Sequence, residues 1–348
     1  MNSSLGIFLH AIGGLAAGSF YMLFKKVRNW AWETYWLVNG FFTWIIMPWL
    51  IAILFVPSLP KVLVELNFSN TMWPFIYGIC WGIGNLTFGL TLRYLGLSLG
   101  MAMVLGLATI FGTLLPPLTE GKFGALTNLR SGQFILVGIL ICLTGIIACG
   151  LAGLFKEKEM PAAEKQKYIR DFNFKKGIAA AFFSGIMSAC FAFGMQAGKP
   201  VAAITAGYGT PEIWKNSVLL IILMSGGFIC NATCCVYLNI KNKSVTDYRK
   251  GGSFLLVNNY FFSALAGIVG FMEFMFYGMG TSKMGKNDFI SFSIHLAFVI
   301  MFSTMWGIIS REWKGSGRKT VWLLVTGLLL LLLSTVLMGL GNELAGHE

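Results

Sequence analysis

Carboxylate, hydroxyl and imidazole side chains recur at helical spacing near residue 290, beside an otherwise apolar stretch. Asp288, Ser291 and His295 are separated by three, four and seven residues, which places them on one face of a helix. Imidazole titrates near neutral pH, and a neighbouring carboxylate stabilises its protonated form. This face predicts a proton relay, although Asp288 at the start of the stretch is equally typical of a helix N-cap.

Two further titratable side chains lie inside apolar stretches, where an ionisable group is costly and marks a functional site by default. Glu273 is the most deeply placed carboxyl group, and burial favours its protonated form, which predicts a reversible proton site. The alternative is a structural pairing with a histidine or with Lys283. His10 shares a helical face with Tyr21, and this stripe either lines a cavity or leaves His10 among lipid headgroups.

Amide and aromatic side chains within the apolar stretches have the chemistry that a sugar site needs. Amides hydrogen-bond to hydroxyl groups, and aromatic faces pack against C–H surfaces. The same residue types also serve hydrogen bonding between helices, which is the alternative for each of them. The candidates for substrate binding are Tyr21, Trp81, Asn85, Gln196, Asn231 and Tyr277.

Charged residues follow the first apolar stretch. Lys25 and Lys26 precede Glu33, and an ion pair between a lysine and Glu33 would form a gate at the inner membrane face. The alternative is membrane anchoring, since basic and aromatic residues are typical of the interface. With Glu33 included, the candidates for proton coupling are His10, Glu33, Glu273, Asp288 and His295.

Ten apolar stretches of about 20 residues position these side chains, and each is long enough to cross a bilayer as a helix. The composition agrees, because 56% of the residues are hydrophobic and 11% are charged, against about 25% charged in soluble proteins. The sequence therefore predicts an all-α polytopic membrane protein with ten transmembrane helices. The stretches are 5–24, 36–56, 72–92, 98–118, 133–154, 177–197, 216–238, 254–278, 289–309 and 320–341.

Lysine and arginine residues concentrate in alternate gaps between these stretches. Of the 26, 19 fall in the first, third, fifth, seventh and ninth gaps. Because cytoplasmic loops carry an excess of these residues, both termini are predicted to be periplasmic, in a bacterial inner membrane. The net charge of +12 follows from this bias, and no basic stripe predicts a nucleic-acid partner. The first stretch is expected to be retained, since Met1–Gly6 lacks the basic region of a cleaved signal peptide.

A charged segment divides the ten stretches into five and five. It predicts an N-terminal half at 1–155, a cytoplasmic linker at 156–176 and a C-terminal half at 177–348. An odd number of crossings per half places the halves in opposite orientations, and such inverted repeats are the design of many secondary transporters. A weak echo at an offset of 171 residues pairs Gly6 with Gly177, Gly14 with Gly185 and Phe20 with Phe191.

No motif of a soluble enzyme or of a metal site is present in the sequence. The patterns GxxxxGK[ST], HExxH and GxSxG are absent, so no ATP, cofactor, metal or enzymatic activity is predicted. Seven cysteines lie inside apolar stretches without a CxxC pair, which is typical of packing residues. They are Cys80, Cys142, Cys149, Cys190, Cys230, Cys234 and Cys235.

Long segments of the chain resemble the L-rhamnose–proton symporter family, a branch of the drug/metabolite transporter superfamily. The opening carries Gly6-Ile-Phe-Leu-His10 and Trp30-Ala-Trp-Glu33-Thr34, and the third stretch carries Trp81-Gly-Ile-Gly-Asn85, followed by Arg93-Tyr-Leu-Gly96. The similarity runs almost end to end. Its other segments are Phe172-Asn-Phe-Lys175, Lys199-Pro200, Asp288-Phe-Ile-Ser291 with His295, Arg311-Glu312-Trp313 and Gly317-Arg318.

The resemblance implies a ten-helix bundle that carries L-rhamnose, or a closely related deoxy-sugar or pentose, inward with protons. It adds Arg93 to Lys25 and Lys26 as a gating candidate. Glu273 departs from the family's pattern, in which glutamine is expected, and this puts a family-wide proton role for the position in doubt. The functional positions that carry over are His10, Glu33, Asn85, Arg93, Asp288 and His295.

Two other functions stay open on the sequence. An uncoupled sugar facilitator of the same fold has no need of buried titratable residues. A membrane sensor needs an appended soluble domain, and the longest gap has only about 20 residues; a membrane enzyme needs a convergent nucleophile or metal set. The predicted partners are the sugar, the proton and the lipid bilayer.

Overall fold

The computed structural model describes residues 2–95, 97–119, 121, 123–159, 174–309, 313 and 315–345. Within these ranges the chain forms fourteen α-helices joined by short connections, and no β-strand occurs among the described residues. The helices are α1 (Ser3–Phe24), α2 (Trp32–Phe41), α3 (Met47–Phe55), α4 (Leu59–Glu65), α5 (Phe68–Leu95), α6 (Leu97–Thr119), α7 (Phe123–Asn128), α8 (Arg130–Glu159), α9 (Phe174–Ala197), α10 (Lys199–Gly207), α11 (Ser217–Lys241), α12 (Ser253–Thr281), α13 (Ser291–Ile309) and α14 (Arg318–Leu344).

Each of the ten predicted apolar stretches coincides with one long helix, except that the stretch 36–56 comprises α2, a π-turn and α3. Eight helical segments are long and apolar enough to cross a membrane, which confirms an all-helical, multi-pass architecture. The helices α5 and α6 coincide with the third and fourth stretches and have 28 and 23 residues, but they are not among the eight.

The second apolar stretch contains a π-turn at Phe42–Ile46. Pro48 follows it and has no backbone N–H, so the regular helical hydrogen-bond ladder is interrupted at this point. The backbone N–H of Met47 donates to the carbonyl oxygen of Phe42, five residues earlier. The hydroxyl of Thr43 lies 3.0 Å from the carbonyl oxygen of Gly267, which fixes the turn against α12. Such turns inside α-helices are frequent at functional sites.

The long helices pack in pairs that connect the N-terminal and C-terminal parts of the chain. Helix α1 packs against α12 and α13, and α5 packs against α9 and α11. Helix α6 packs against α8 and α9, α8 against α14, and α2 against α11 and α12. The surface of the bundle carries large exposed apolar side chains such as Leu140, Ile240 and Phe254. An apolar surface of this kind suits lipid contact rather than water.

Small residues allow α5 and α11 to cross in backbone contact. A Cβ atom at Gly78 would collide with the carbonyl group of Leu223, and one at Gly226 would collide with the carbonyl oxygen of Phe75. Close approach matters here because lipid offers no hydrophobic drive for helix association, so van der Waals contact must hold the pair.

Side chains at one end of the bundle tie the connections to the helices. Asn259 of α12 accepts a hydrogen bond from the backbone N–H of Arg28 at 3.0 Å and donates to the carbonyl oxygen of Arg28 at 2.7 Å. Glu159, at the end of α8, accepts from the backbone N–H of Gly317 and from the hydroxyl of Thr320 at the start of α14. Of the predicted linker 156–176, residues 160–173 lie outside the described residues.

Replacing Gly78 by alanine is expected to destabilise the protein by roughly 1–3 kcal/mol, because the added methyl group overpacks the crossing of α5 and α11. The thermal unfolding midpoint in detergent, followed by tryptophan fluorescence, measures this effect. Gly89→Ala is the matched control, since it lies on the same helix and its added Cβ would meet no atom within 4 Å. Equal midpoints for the two variants would contradict the crossing.

Candidate functional site

A cavity of about 200 Å³ lies between α1, α2, α5, α6, α9, α12 and α13. Pockets for drug-sized ligands occupy about 300–1,000 Å³, so this volume suits a smaller molecule of the size of one monosaccharide. Four of the sequence-predicted substrate candidates line it, namely Tyr21, Trp81, Asn85 and Tyr277. The helices thus bring together residues that are separated by up to 256 positions in the chain.

Aromatic rings form one wall of this cavity. The ring centroids of Phe191 and Phe274 are 5.1 Å apart, and Trp81 lies 5.5 Å from the first and 5.2 Å from the second. Trp44 meets Trp81 edge to face at 6.0 Å. Such interlocking rings present a stiff surface of C–H and π faces.

A carboxylate and an imidazole face each other across the cavity lining. Glu273 Oε1 lies 3.7 Å from His295 Nε2, and both residues line the cavity. The side chain of Glu273 is 21% exposed and that of His295 is 5% exposed. The pair therefore corresponds to the histidine pairing that the sequence left open for Glu273, and it lies next to the space that a ligand would occupy.

His10 lies behind this pair and is completely buried. Its ring centroid is 5.8 Å from that of His295 and 5.5 Å from that of Tyr277. Neither of its nitrogen atoms has a hydrogen-bond partner among the described residues. A Cβ atom at Gly280 would lie 2.8 Å from the His10 ring, and one at Gly13 would lie 2.9 Å from the His295 ring. The two glycines therefore create the space for the two imidazoles.

Tyr277 separates this cavity from a wider one of about 1020 Å³, which we call the vestibule. The vestibule opens near Asn2 and the end of α9, and Tyr277 is the one described residue that lines both spaces. Its ring is 4% exposed and lies 5.4 Å from Phe191 and 5.3 Å from His295. A movement of this ring would join the two spaces.

Asp288 lies in the vestibule and not beside His295. Its carboxylate accepts from Lys199 Nζ at 2.9 Å and from Gln196 Nε2 at 3.2 Å. The spacing in the sequence predicts Asp288 and His295 on one helical face. The contacts of Asp288 differ from this prediction for a geometric reason. Asp288 lies in a 3-10 turn, Gly285–Ile290, with about three residues per turn, so its side chain is rotated relative to an α-helical continuation.

Glu33 lies in a buried polar network at the end of the bundle distant from the vestibule. Its Oε1 accepts from the hydroxyl of Ser244 at 2.7 Å and from Asn242 Nδ2 at 3.0 Å. Thr34 donates to Asp247 Oδ2 at 3.2 Å, which extends the network to the connection between α11 and α12. Both of these donors to the Glu33 carboxylate are neutral side chains.

A tyrosine closes the same network on its outer side. Tyr248 accepts from Asn239 Nδ2 at 3.3 Å, and burial raises the pKa of the Tyr248 hydroxyl to about 12. The hydroxyl therefore stays protonated across the physiological pH range and keeps its hydrogen-bonding capacity.

The remaining candidates have separate positions. Asn231 is buried, accepts from Trp36 Nε1 of α2 at 3.4 Å and donates to the carbonyl oxygen of Gly82 of α5 at 3.4 Å, which are contacts between helices of the kind that the sequence left as its alternative. Lys25 and Lys26 are exposed at the end of α1. The side chain of Arg93 lies outside the described part of the structure.

Several residues that line the cavity were missed by the sequence analysis. They share no motif, and their position depends on helix depth and rotation, which spacing along the chain does not define. One sequence signal could have pointed to this part of the lining. Pro48 follows the polar Thr43 and the aromatic Trp44 by about one helical turn. The missed lining residues include Trp36, Asn39, Thr43, Trp44, Ser188 and Phe274.

A multi-pass helical bundle with a small aromatic cavity and an acid–imidazole pair in its lining is typical of membrane transport proteins. The model of the L-rhamnose-proton symport protein family matches residues 1–344. The L-rhamnose-proton symporter of Cronobacter sakazakii is 34% identical over 341 residues, covering 97% of each chain. That of Yersinia pestis is 35% identical over 340 residues, again covering 97% of each chain. The chain belongs to the L-rhamnose-proton symport protein family, a family of transporters and not of enzymes.

Replacing Glu33 by alanine is expected to lower stability by roughly 1–3 kcal/mol, because the buried hydroxyl of Ser244 and the amide of Asn242 lose their acceptor. The thermal midpoint of the purified protein in detergent reports the change. Glu343→Ala is the control, since Glu343 is exposed and accepts only a 3.4 Å contact from Ser4 among the described residues. If Glu33→Ala unfolded at the same temperature as the control, the network would carry no structural role.

Proposed function

We propose that this chain imports L-rhamnose, or a closely related deoxy-sugar or pentose, together with protons across the bacterial inner membrane. Membership of the L-rhamnose-proton symport protein family supports the transported pair. The observation that carries the proposal is the 3.7 Å contact of Glu273 with His295 in the lining of a monosaccharide-sized cavity. The pair places a titratable site and a sugar site in one compartment.

Ten crossings arranged as two inverted five-helix halves, 1–155 and 177–348, best account for the packing of the helices. Counting α2 and α3 together, the crossings are α1, α2–α3, α5, α6 and α8, followed by α9, α11, α12, α13 and α14. Exchange of the first crossing with the sixth, the second with the seventh and so on converts the contact α1–α12 into α9–α5. It likewise converts α1–α13 into α9–α6, and α2–α12 into α11–α5, and each of these contacts is present.

Two glycines from the sequence echo support the same symmetry. Gly14 of α1 packs against the backbone of α13 at Phe298, and Gly185 of α9 packs against α6 at Leu107. These are equivalent helix pairs under the exchange of the halves. The echo therefore joins residues with the same packing role, as an inverted repeat requires. The excess of lysine and arginine in the odd gaps supports a periplasmic position for both termini and for the vestibule near Asn2 in this proposed topology.

The cavity has the surfaces that a sugar requires. The rings of Trp81, Phe191 and Phe274 offer a stiff apolar face for the C–H side of the sugar and for a deoxy methyl group. Asn85 and Tyr21 line the same space and bring polar groups for hydroxyls. Gln196 and Asp288 lie in the vestibule, on the proposed route of entry.

Proton coupling follows from the charge on the Glu273 and His295 pair. With a neutral imidazole the pair carries one negative charge, which is costly to move through the bilayer interior. One proton makes the pair neutral overall, and a bound sugar then replaces water in the cavity. The form that carries both the proton and the sugar reorients inward, releases both to the cytoplasm and returns empty and deprotonated, with one negative charge that a membrane potential negative inside drives outward. The two fluxes are coupled because the protonated pair without sugar does not reorient, which is a difference in stability between the liganded states.

Tyr277 and the network around Glu33 are the proposed barriers at the two ends. Tyr277 blocks passage from the vestibule, with His10 packed behind it. Glu33 joins the second and seventh crossings at the cytoplasmic end, and Lys25, Lys26 and Arg93 are proposed to act at that end.

At a membrane potential of 100 mV, one translocated charge carries about 2.3 kcal/mol, which supports roughly fiftyfold accumulation.

De-energised cells that express the protein are expected to make a weakly buffered medium more alkaline when L-rhamnose is added, because sugar enters with a proton. A pH electrode measures the shift, and cells without the protein, together with cells given L-glucose, are the controls. Entry of labelled L-rhamnose without any alkaline shift would contradict proton coupling and favour a facilitator. Binding without entry would favour a sensor.

A further inference from the structure

Three buried polar groups in the lining of the central cavity have no hydrogen-bond partner among the described residues. They are Asn39 Oδ1, Trp44 Nε1 and His295 Nδ1. The three residues are 2%, 3% and 4% exposed as whole residues. A buried polar atom without a partner costs about 1–3 kcal/mol, so such atoms require an explanation. The His295 atom belongs to the titratable pair, whereas the other two are not explained by any contact described above.

Asn39 and Trp44 are complementary in type. The amide oxygen of Asn39 is an acceptor, and the indole N–H of Trp44 is a donor only. A sugar hydroxyl both donates and accepts, so neighbouring hydroxyls of one ring match this pair. A cavity that bound only apolar molecules would not explain why these two polar atoms lie in its lining without partners.

The local fold places both side chains at the cavity. In an α-helix, residues five apart lie on different faces, but the π-turn that begins at Phe42 widens the helix and brings position 44 towards the face of position 39. Gly40 provides the space, because a Cβ atom there would lie 2.7 Å from the ring of Trp44. The hydroxyl of Thr43 fixes the turn to α12 through Gly267.

Two other indole donors in this region already have partners. Trp36 Nε1 donates to Asn231 Oδ1 at 3.4 Å, so its ring contributes a surface and not a free donor. Trp306 Nε1, outside the cavity, donates to Ser19 Oγ at 2.8 Å. Trp44 Nε1, in contrast, is a buried donor in the cavity lining without a partner among the described residues, so it is available to a ligand.

We propose that Asn39 and Trp44 form the hydroxyl-recognition pair of the sugar site, with Trp44 Nε1 donating to one hydroxyl and Asn39 Oδ1 accepting from a hydroxyl beside it. The assignment rests on the proposed transport function and adds the residues that set sugar specificity. It also assigns a role to the π-turn, since a regular helix would direct the side chains of Asn39 and Trp44 to different faces.

The test replaces each group by a side chain of similar shape, Trp44→Phe and Asn39→Leu. Each variant is expected to raise the KM for L-rhamnose uptake roughly five- to a hundredfold, with little change in the maximal rate per folded molecule. Trp30→Phe is the matched control, because Trp30 Nε1 is also buried and unpartnered among the described residues but does not line the cavity.

Deoxygenated analogues of L-rhamnose, lacking the hydroxyl at C2, C3 or C4, distinguish recognition from a structural effect. One analogue should inhibit wild-type uptake several-fold less well than L-rhamnose, yet equal L-rhamnose in Trp44→Phe, because the lost donor and the lost hydroxyl are partners. A different analogue should behave in this way in Asn39→Leu. Unchanged KM values, or an equal loss for every analogue in both variants, would overturn the assignment.

The same variants separate this proposal from the transport function. If wild-type protein took up no L-rhamnose, the transport proposal would fail, and binding of L-rhamnose, L-fucose and L-arabinose would be compared by tryptophan fluorescence. Weaker binding of whichever sugar the wild type holds, in Trp44→Phe and not in Trp30→Phe, would uphold the recognition pair. Equal binding in both variants, or no sugar bound by the wild type, would overturn it.

Discussion

The approach of Glu273 to His295 within 3.7 Å, inside a helical membrane bundle, is the interaction on which the surrounding packing depends. Ionisable groups are costly at this depth, so the helices must enclose them and keep lipid away. Gly13 of α1 lies against the ring of His295, and Gly280 of α12 lies against the ring of His10. Three helices therefore meet closely at the titratable groups. A shift of α12 relative to α1 and α13 changes the surroundings of both histidines together.

The aromatic wall and the π-turn complete the compartment. Trp81, Phe191 and Phe274 come from three different helices and meet at ring distances near 5 Å. The π-turn, which directly precedes Met47 and Pro48, adds the ring of Trp44 to this lining. Because the sugar surface and the proton pair share one small cavity, occupation of one directly alters the solvation of the other. This sharing is the physical basis of coupling in the proposed transport cycle.

The helices could be predicted from the sequence, because apolar stretches of bilayer length report directly on helix position. The pairing of Glu273 with a histidine was foreseen as an alternative. Tyr21, Trp81, Asn85 and Tyr277, which the sequence suggested for substrate binding, line the cavity, and their role in binding stays a prediction. The position of Asp288 was not foreseen, since a 3-10 turn changed its angle and Lys199 on another helix binds it. Asn39 and Trp44 were missed because a π-turn, invisible in simple helical spacing, sets their direction.

The central claim is that the Glu273 carboxylate couples proton movement to sugar movement. The most direct measurement compares sugar exchange at equilibrium with uphill accumulation in proteoliposomes that contain Glu273→Gln. Exchange needs no net proton flux, so the variant should retain it while losing accumulation driven by a pH gradient. Wild-type accumulation by Glu273→Gln would contradict the account, and loss of both activities in a folded variant would make Glu273 a sugar ligand and not the coupling group.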